Sequence, residues 1–536
     1  MTVRFLKMKT LTISLACIGI LGLTGCNDDN DKKVIQVPEP IEKGAWSTGD
    51  LHVHTIQSDD AQVKLADVLD LALNKYSLDW MLLSNHLRLE KRDHEGNDLI
   101  NGSIAFSQGM KEFEVPYIDS LIKNGKYPNK TVYSAFEWDM PTHDHVNIGI
   151  GIENQNNSKN LKAVEEFEYL FTNKDKKYFS NDILSKYSEG DRAFSSHADS
   201  VKALKWIKTN YPNSYMILNH PSRGVGKYSP AQIRELHDTA PDIFYMIEGM
   251  IGNQMEPNRG GYETAYIDDN LVNRSYGGVD YYVAKVGGLW DSLLGEGRHI
   301  WNIANSDYHF TVGSGKYTSG YAPGEYSKTY LWKNGNSLAD VVKGLKDGRS
   351  FGVYGDLINA LDFNVNVNNK TYSMGQTLTT TKGDNVTVTI KFKSPEYNNE
   401  QFPFNSGNSA NSKPKVDHVD LIVGDVVPKY EANSSNYNNA KNSTTKVLAR
   451  FTSKDWKTDA NGFNVITYKM KLDKNQYLRL RGTNLGVDVE GETKNGEPLI
   501  DLKNETVDHQ QRFNEINKRN YADLWFYSNP IFLNVK

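Results

Sequence analysis

What most constrains the fold of this chain is a recurring unit, a short apolar run that delivers a residue able to bind a metal. Trp80-Met81-Leu82-Leu83-Ser84 runs into Asn85-His86, and Thr131-Val132-Tyr133-Ser134-Ala135-Phe136 runs into Glu137. Tyr215-Met216-Ile217-Leu218 runs into Asn219-His220-Pro221. His299 to Asn305 runs into Ser306-Asp307-Tyr308-His309, and His145 opens Val146-Asn147-Ile148-Gly149. Upstream, Gly49-Asp50-Leu51-His52-Val53-His54-Thr55 carries two histidines two apart, and the alternation of an extended strand points both imidazoles the same way. Neutral imidazole is the commonest nitrogen ligand of zinc-like ions. Of the 13 histidines, 6 stand at the ligand positions of these motifs, His52, His54, His86, His145, His220 and His309, which favours one metal centre over six separate structural imidazoles. Strands that bring functional residues to one rim are the build of a parallel α/β barrel.

The segments between the runs suit that alternation. Val63–Tyr76 carries Leu65, Val68, Leu69, Ala72 and Leu73 near helical period. Ser229-Pro230 reads as an N-cap with proline at the first helical position, ahead of Ala231–His237. Ser337–Lys346 with Gly348 behind it is a second capped helix. Two polar inserts, Gly151–Lys186 and Asn253–Asn273, read as loops over the rim.

Taken in order, the motifs HVHT with Ser58-Asp59, Asn85-His86, Glu137, His145-Val146-Asn147, Asn219-His220-Pro221 and Ser306-Asp307-Tyr308-His309 resemble the PHP (polymerase and histidinol phosphatase) family of metal-dependent phosphoesterases. The resemblance covers about residues 49–356. It implies an α/β fold, a distorted seven-stranded (β/α) barrel over 46–357, with two to three divalent ions (zinc, manganese or iron) at one rim. His52, His54, Glu137 and Asp307 would hold one ion. Glu137 would bridge to a second held by His145 and His220, and Asp59, His86 and His309 would hold a third. Two positions depart from the family pattern. Asn85 stands where aspartate is usual, and Ser58-Asp59-Asp60 replaces Ser-Asp-Gly, so Asp60 competes with Asp59 as the ligand.

Clustered divalent ions would activate water near neutral pH and neutralise phosphoryl oxygens, so no protein nucleophile is expected. Arg88, Arg223 and Lys227 follow ligand motifs closely enough to bind a phosphate, although a rim position with a structural partner explains each more readily. His143 shares strand parity with His145, and the Val-Asn that follows favours His145; His197 reads as a loop residue.

The chain begins with Arg4, Lys7 and Lys9, then the mostly apolar Leu11–Leu23, then Leu23-Thr24-Gly25-Cys26. That order resembles a lipoprotein signal over 1–26, with Cys26 as the lipidated residue. A polar tether follows over 27–45, and Asn27 leans the location toward the outer membrane, facing periplasm or cell surface. Cys17 lies in the removed segment, so no internal disulfide is possible. A formal charge of −5 with signs interspersed gives no case for nucleic acid.

From 358 to 536 the pattern changes to alternating, β-branched runs separated by Asn, Gly and Ser: Leu361–Val367, Asn385–Phe392, His418–Val423, Val447–Phe451, Val465–Leu472, Tyr477–Arg481 and Ile531–Val535. An all-β sandwich-like domain without chemistry is expected, with Arg479 and Arg481 on an exposed face and long loops at Glu396–Ser412 and Tyr430–Ser443. The expected function is hydrolysis of a small-molecule or glycan-linked phosphoester by a lipid-anchored enzyme. Its alternatives are a surface binding lipoprotein with a structural metal cluster, and a metal hydrolase of C–N or C–O bonds.

Overall fold

The apolar runs do become strands. In this computed structural model, which describes residues 44–152, 158–262, 272–310, 320–398 and 413–536, the first part of the chain carries twelve strands. They are β1 (Ala45–Asp50), β2 (Trp80–Leu83), β3 (Thr131–Ser134), β4 (Phe136–Asp139), β5 (His145–Gly149), β6 (Tyr215–Leu218), β7 (Phe244–Met250), β8 (Ser275–Tyr276), β9 (Val279–Asp280), β10 (Trp301–Ala304), β11 (Ser327–Lys333) and β12 (Ser350–Tyr354). Cys26, most of the tether and nearly all of the Glu396–Ser412 loop lie outside the described residues.

β1, β2 and β3 pair in parallel, and β11 lies antiparallel against the other edge of β1. In that pairing Gly49 faces Trp80, and a Cβ at Gly49 would come within 2.0 Å of the indole, so the position admits no side chain. A second sheet has the order β10-β7-β6-β5-β4, with β10, β7 and β6 parallel and β4, β5 and β6 antiparallel. The closed seven-stranded barrel expected from the resemblance is therefore not present as one sheet. The two sheets meet along two seams, where isolated parallel bridges join His86 to Glu137 and Val53 to Tyr308. Regular pairing stops there because the chain turns out of extended conformation just past the strand ends. Asp307 has φ 47°, a left-handed value that only a held non-glycine residue keeps.

Helices form where period and capping indicated. Leu65–Asp70 is α-helical and passes into a π-helical turn at Leu71–Lys75. Pro230–Thr239 starts at Ser229, whose Oγ accepts from Gln232 N while Gln232 reaches back to Ser229 N. Leu338–Asp347 ends at Gly348 with φ 73°. The Gly151–Lys186 insert is not a loop: it holds helices Ser158–Phe171 and Asn181–Lys186. Val164, Phe167, Leu170 and Phe171 are buried there, an apolar stripe at helical spacing that polar composition concealed.

The remaining strands are β13 (Ala360–Val367), β14 (Lys370–Ser373), β15 (Thr377–Thr380), β16 (Asn385–Lys393), β17 (His418–Asp425), β18 (Lys446–Thr452), β19 (Lys457–Thr458), β20 (Asn464–Lys471), β21 (Gln476–Thr483), β22 (Thr493–Lys494), β23 (Glu497–Pro498), β24 (Trp525–Ser528) and β25 (Ile531–Val535). One sheet, β14-β13-β16-β20-β19, is self-contained. The other is not: β24 pairs with β12, so a single sheet runs β15-β25-β21-β24-β12-β11-β1-β2-β3. The boundary expected at 357/358 thus crosses a continuous sheet, and the chain from Ile41 onward does not part there into two compact units. Nor is the C-terminal part all β, because His509–Ala522 is helical.

Arg479 and Arg481 are buried rather than exposed. Arg479 makes a bidentate pair with Asp291 at 2.8 and 2.7 Å. Arg481 reaches Asp420 at 2.8 Å and Glu497 at 2.9 Å. Their face of β21 packs on earlier and later segments, and charge alone could not reveal that burial.

Candidate metal centre

Glu137 sits in the middle of β4 and is 1 % exposed, and five imidazoles converge on its carboxylate from the ends of neighbouring strands. Oε1 lies 3.1 Å from His52 Nε2, 3.2 Å from His145 Nδ1 and 3.7 Å from His220 Nε2. Oε2 lies 3.3 Å from His54 Nε2 and 3.2 Å from His86 Nδ1. Asp307 faces the same space, its Oδ1 2.9 Å from His52 Nε2 and 3.4 Å from His54 Nε2. Backbone anchors hold this arrangement. Asp50, at the end of β1, accepts from His52 N and Ser306 N at 3.0 Å each, tying the two ligand-bearing turns together. His220 has φ 28°, so two residues of the cluster, His220 and Asp307, sit in strained backbone.

The inner nitrogens test whether a metal fits. Nε2 of His52, Nε2 of His54, Nδ1 of His86 and both nitrogens of His220 are buried, and although carboxylate oxygens stand near them, none makes a well-formed hydrogen bond with the described residues. Such orphaned groups are rare, and an ion that receives their lone pairs accounts for them. Bonds of about 2.0–2.2 Å place neighbouring ligand atoms about 3.0 Å apart in an octahedron and about 3.4 Å apart in a tetrahedron. Most of the separations above fall at those values. The outward nitrogens are tied down as metal-ligating imidazoles require: His52 Nδ1 to Glu248 Oε1 at 2.9 Å, His54 Nδ1 to Ser58 Oγ at 3.2 Å, and His309 Nδ1 to the Asp307 carbonyl at 2.9 Å.

One expected residue, Asp59, stands apart from the clustered groups. Asp60, not Asp59, joins His54, His86 and His309, with Oδ2 2.9 Å from His86 Nε2 and Oδ1 3.7 Å from His309 Nε2. Asp59 is turned to Arg88 Nη1, 3.2 Å away. The other expected residues, His52, His54, His86, Glu137, His145, His220, Asp307 and His309, all take part in the clustered groups. Two acidic residues were not anticipated. Asp144 gathers with His145 and His220, its Oδ2 3.6 Å from His220 Nδ1. Glu248, a lone carboxylate within the apolar run of β7, orients His52; its isolation in that run is the signal that could have found it. Asn219 also donates to Glu137 Oε1, at 2.6 Å.

The charge balance favours cations. Burial alone would raise Glu137, yet His52, His145 and His86 hold its carboxyl well below the usual range. Burial alone would lower His145, yet Glu137, Asp139 and Asp144 lift it to about 10. Burial, reinforced by His54, pushes His309 down to about 3. Burial opposes but does not prevent the lowering of Asp60, Asp139 and Asp144 by nearby imidazoles and arginines. The negative potential that raises His52 and His145 is equally a potential that draws a divalent ion.

The three expected phosphate binders separate clearly. Arg88 is committed to Asp139, in a bidentate pair at 2.8 and 2.8 Å. Lys227 has an exposed side chain, and its backbone carbonyl is what interacts, with His143 Nδ1. Arg223 faces the cluster, 3.6 Å from Asp307 and 3.8 Å from Asp144, too far for a firm hydrogen bond to either. His143 lies outside the cluster, hydrogen-bonded to His197 at 2.8 Å, and His197 is itself 3.1 Å from Glu235. His197 opens the helix His197–Asn210 rather than lying in a loop. Compared with family models, with curated proteins and with solved structures, the chain has no match.

Proposed function

We propose that this chain is a metal-dependent hydrolase of phosphate esters, built like the PHP phosphoesterases its motifs resemble. The observation that supports it most is the ring of five imidazoles around the Glu137 carboxylate, four of which, His52, His54, His86 and His220, turn buried nitrogens toward the carboxylates without a well-formed hydrogen bond to the described residues. His52, His54, Glu137 and Asp307 would hold one ion, and Glu137, His145 and His220, with Asp144 close by, a second. His86, His309, His54 and Asp60 surround the space for a third. Zinc, manganese or iron suits these mixed imidazole and carboxylate donors. When bound, such ions lower the pKa of water and neutralise charge on phosphoryl oxygens.

The chain's own residues supply the rest. Glu137 turns Oε1 toward His52, His145 and His220 and Oε2 toward His54 and His86, so one side chain would serve more than one ion. Arg223, held beside the cluster by ion pairs of 3.6 and 3.8 Å with Asp307 and Asp144, is placed to take a phosphoryl oxygen by a charge-assisted hydrogen bond. Arg88 instead locks Asp139, whose Oδ1 is 3.1 Å from His145 Nε2, and so orients that imidazole. Anchoring through Cys26, with the enzyme facing periplasm or cell surface, is supported by the sequence alone. Among the described residues no helix is long and apolar enough to cross a membrane. A Cys26→Ala chain that still incorporated labelled palmitate would contradict that anchor. The experiment for the activity is turnover of nitrophenyl phosphate mono- and diesters before and after chelation, with metal restored. Chelator-sensitive cleavage of either ester supports the reading. Bound metal with no cleavage of any phosphoester would favour a structural cluster or C–N chemistry.

A further inference from the structure

Behind the metal centre a buried chain of hydrogen bonds runs from Glu114 through Asn85 and Ser58 to His54. All four residues are at most 2 % exposed, so water does not compete for these bonds. The amide of Asn85 has one workable orientation. Its Oδ1 lies 2.7 Å from the backbone N–H of Thr55, a donor that cannot invert. Its Nδ2 lies 2.7 Å from Oε2 of the Glu114 carboxyl. A flipped amide would set donor against donor at Thr55 and oxygen against oxygen at Glu114. With Oδ1 fixed as an acceptor, Ser58 Oγ, 3.2 Å away, directs its single proton there. That leaves Ser58 Oγ as an acceptor for two N–H groups, the backbone of His86 at 2.9 Å and Nδ1 of His54 at 3.2 Å. The hydrogen of His54 is then on Nδ1, and its lone pair is on Nε2, the atom 3.3 Å from Glu137 Oε2 and 3.4 Å from Asp307 Oδ1.

We propose that Glu114, Asn85 and Ser58 are positioning residues that fix His54 in the tautomer able to bind a divalent cation through Nε2. The same serine oxygen clamps the backbone of His86, so one relay sets two of the imidazoles around Asp60. The proposal rests on the metal-centre reading, and it adds a reason why an amide stands at position 85. An aspartate there could accept from Thr55 and Ser58 as Asn85 does, but it could not donate to Glu114.

The experiment is competition for zinc between the purified full chain and a chelator, with thermal unfolding followed alongside. Ser58→Ala should weaken zinc binding about 10–100-fold, the usual cost of losing a group that orients a ligand. Asn85→Asp should weaken it by a similar factor, because two carboxyl groups then face each other. Asn85→Asp combined with Glu114→Gln should restore zinc binding to within a few fold of wild type, since amide and carboxylate have exchanged places. A residue that only supports the fold would not give that rescue. Wild-type zinc affinity in Ser58→Ala, or a double variant no better than Asn85→Asp, would overturn the relay. A wild-type chain that holds no zinc, manganese or iron would overturn the metal centre and the relay with it. That result is distinct from one in which wild type and every variant bind metal equally.

Discussion

Asp59 and Asp60 are adjacent, equally acidic and equally able to reach a metal, and only the fold separates them. Arg88 draws Asp59 outward at 3.2 Å, while Asp60 meets His86 at 2.9 Å. Asp60→Asn should therefore lower metal affinity at the His54, His86 and His309 group at least as much as losing an orienting group does, about 10-fold or more. Asp59→Asn should leave it within about twofold, as for a partly exposed surface charge. Metal analysis of both variants under limiting metal checks the pair. The clustered histidines are legible in the sequence because strand parity and strand ends are local properties. Asp144 and Glu248 are not, since a carboxylate beside a ligand, or one within an apolar strand, gains its role only when distant segments meet. The same holds for Arg88, whose partner Asp139 lies on another strand.

At the scale of elements, β21 shows what alternation can and cannot convey. The strand is legible in the sequence, but alternation leaves its arginine-bearing face looking exposed. In the fold that face packs on helix Leu289–Leu294, where Asp291 receives Arg479 and Trp290 lies under the guanidinium at 4.9 Å. Arg479→Ala would leave Asp291 buried without its guanidinium and should cost about 3–5 kcal/mol of stability. Denaturant midpoints measure this, and a loss under about 1 kcal/mol, the size of an exposed pair, would contradict it. A second element carries a pH dependence. Glu325 opens the chain into β11 and is 5 % exposed; burial raises its carboxyl to about 7, although Ala322 N donates to it. Its folded value is above its unfolded one, so the folded state binds more protons between about pH 4.5 and 7. Stability should therefore fall as pH rises through that window, by on the order of 3 kcal/mol. Glu325→Gln should flatten this slope in urea midpoints taken at pH 5 and pH 8.

For the whole molecule, the order of strands and the capped helices could be read from period and punctuation, but the partnership of sheets could not. β12 and β24 are far apart in sequence, and nothing local in either marks them as neighbours; their pairing joins the C-terminal strands to the sheet that carries β1 and β2. The candidate metal centre thus stands beside a sheet that early and late strands of the described chain build together. The seams between the two sheets run through Glu137 and through Tyr308, next to Asp307, so the same departures from regular pairing that interrupt the barrel expected from the sequence bring the candidate ligands inward. If this architecture exists to hold bridged ions for phosphoester cleavage, Glu137 is where it is most exposed to test. Glu137→Gln keeps the side chain's size and removes the charge shared by both sides of the cluster. The measurement is metal stoichiometry together with phosphomonoester and phosphodiester turnover for wild type and Glu137→Gln. The account predicts at least two ions and chelator-sensitive turnover in wild type. In Glu137→Gln, which should stay folded, metal should be lost from both adjoining groups and turnover should fall about 100-fold or more, beyond the loss of an orienting group. Full metal content with full turnover in Glu137→Gln would contradict it.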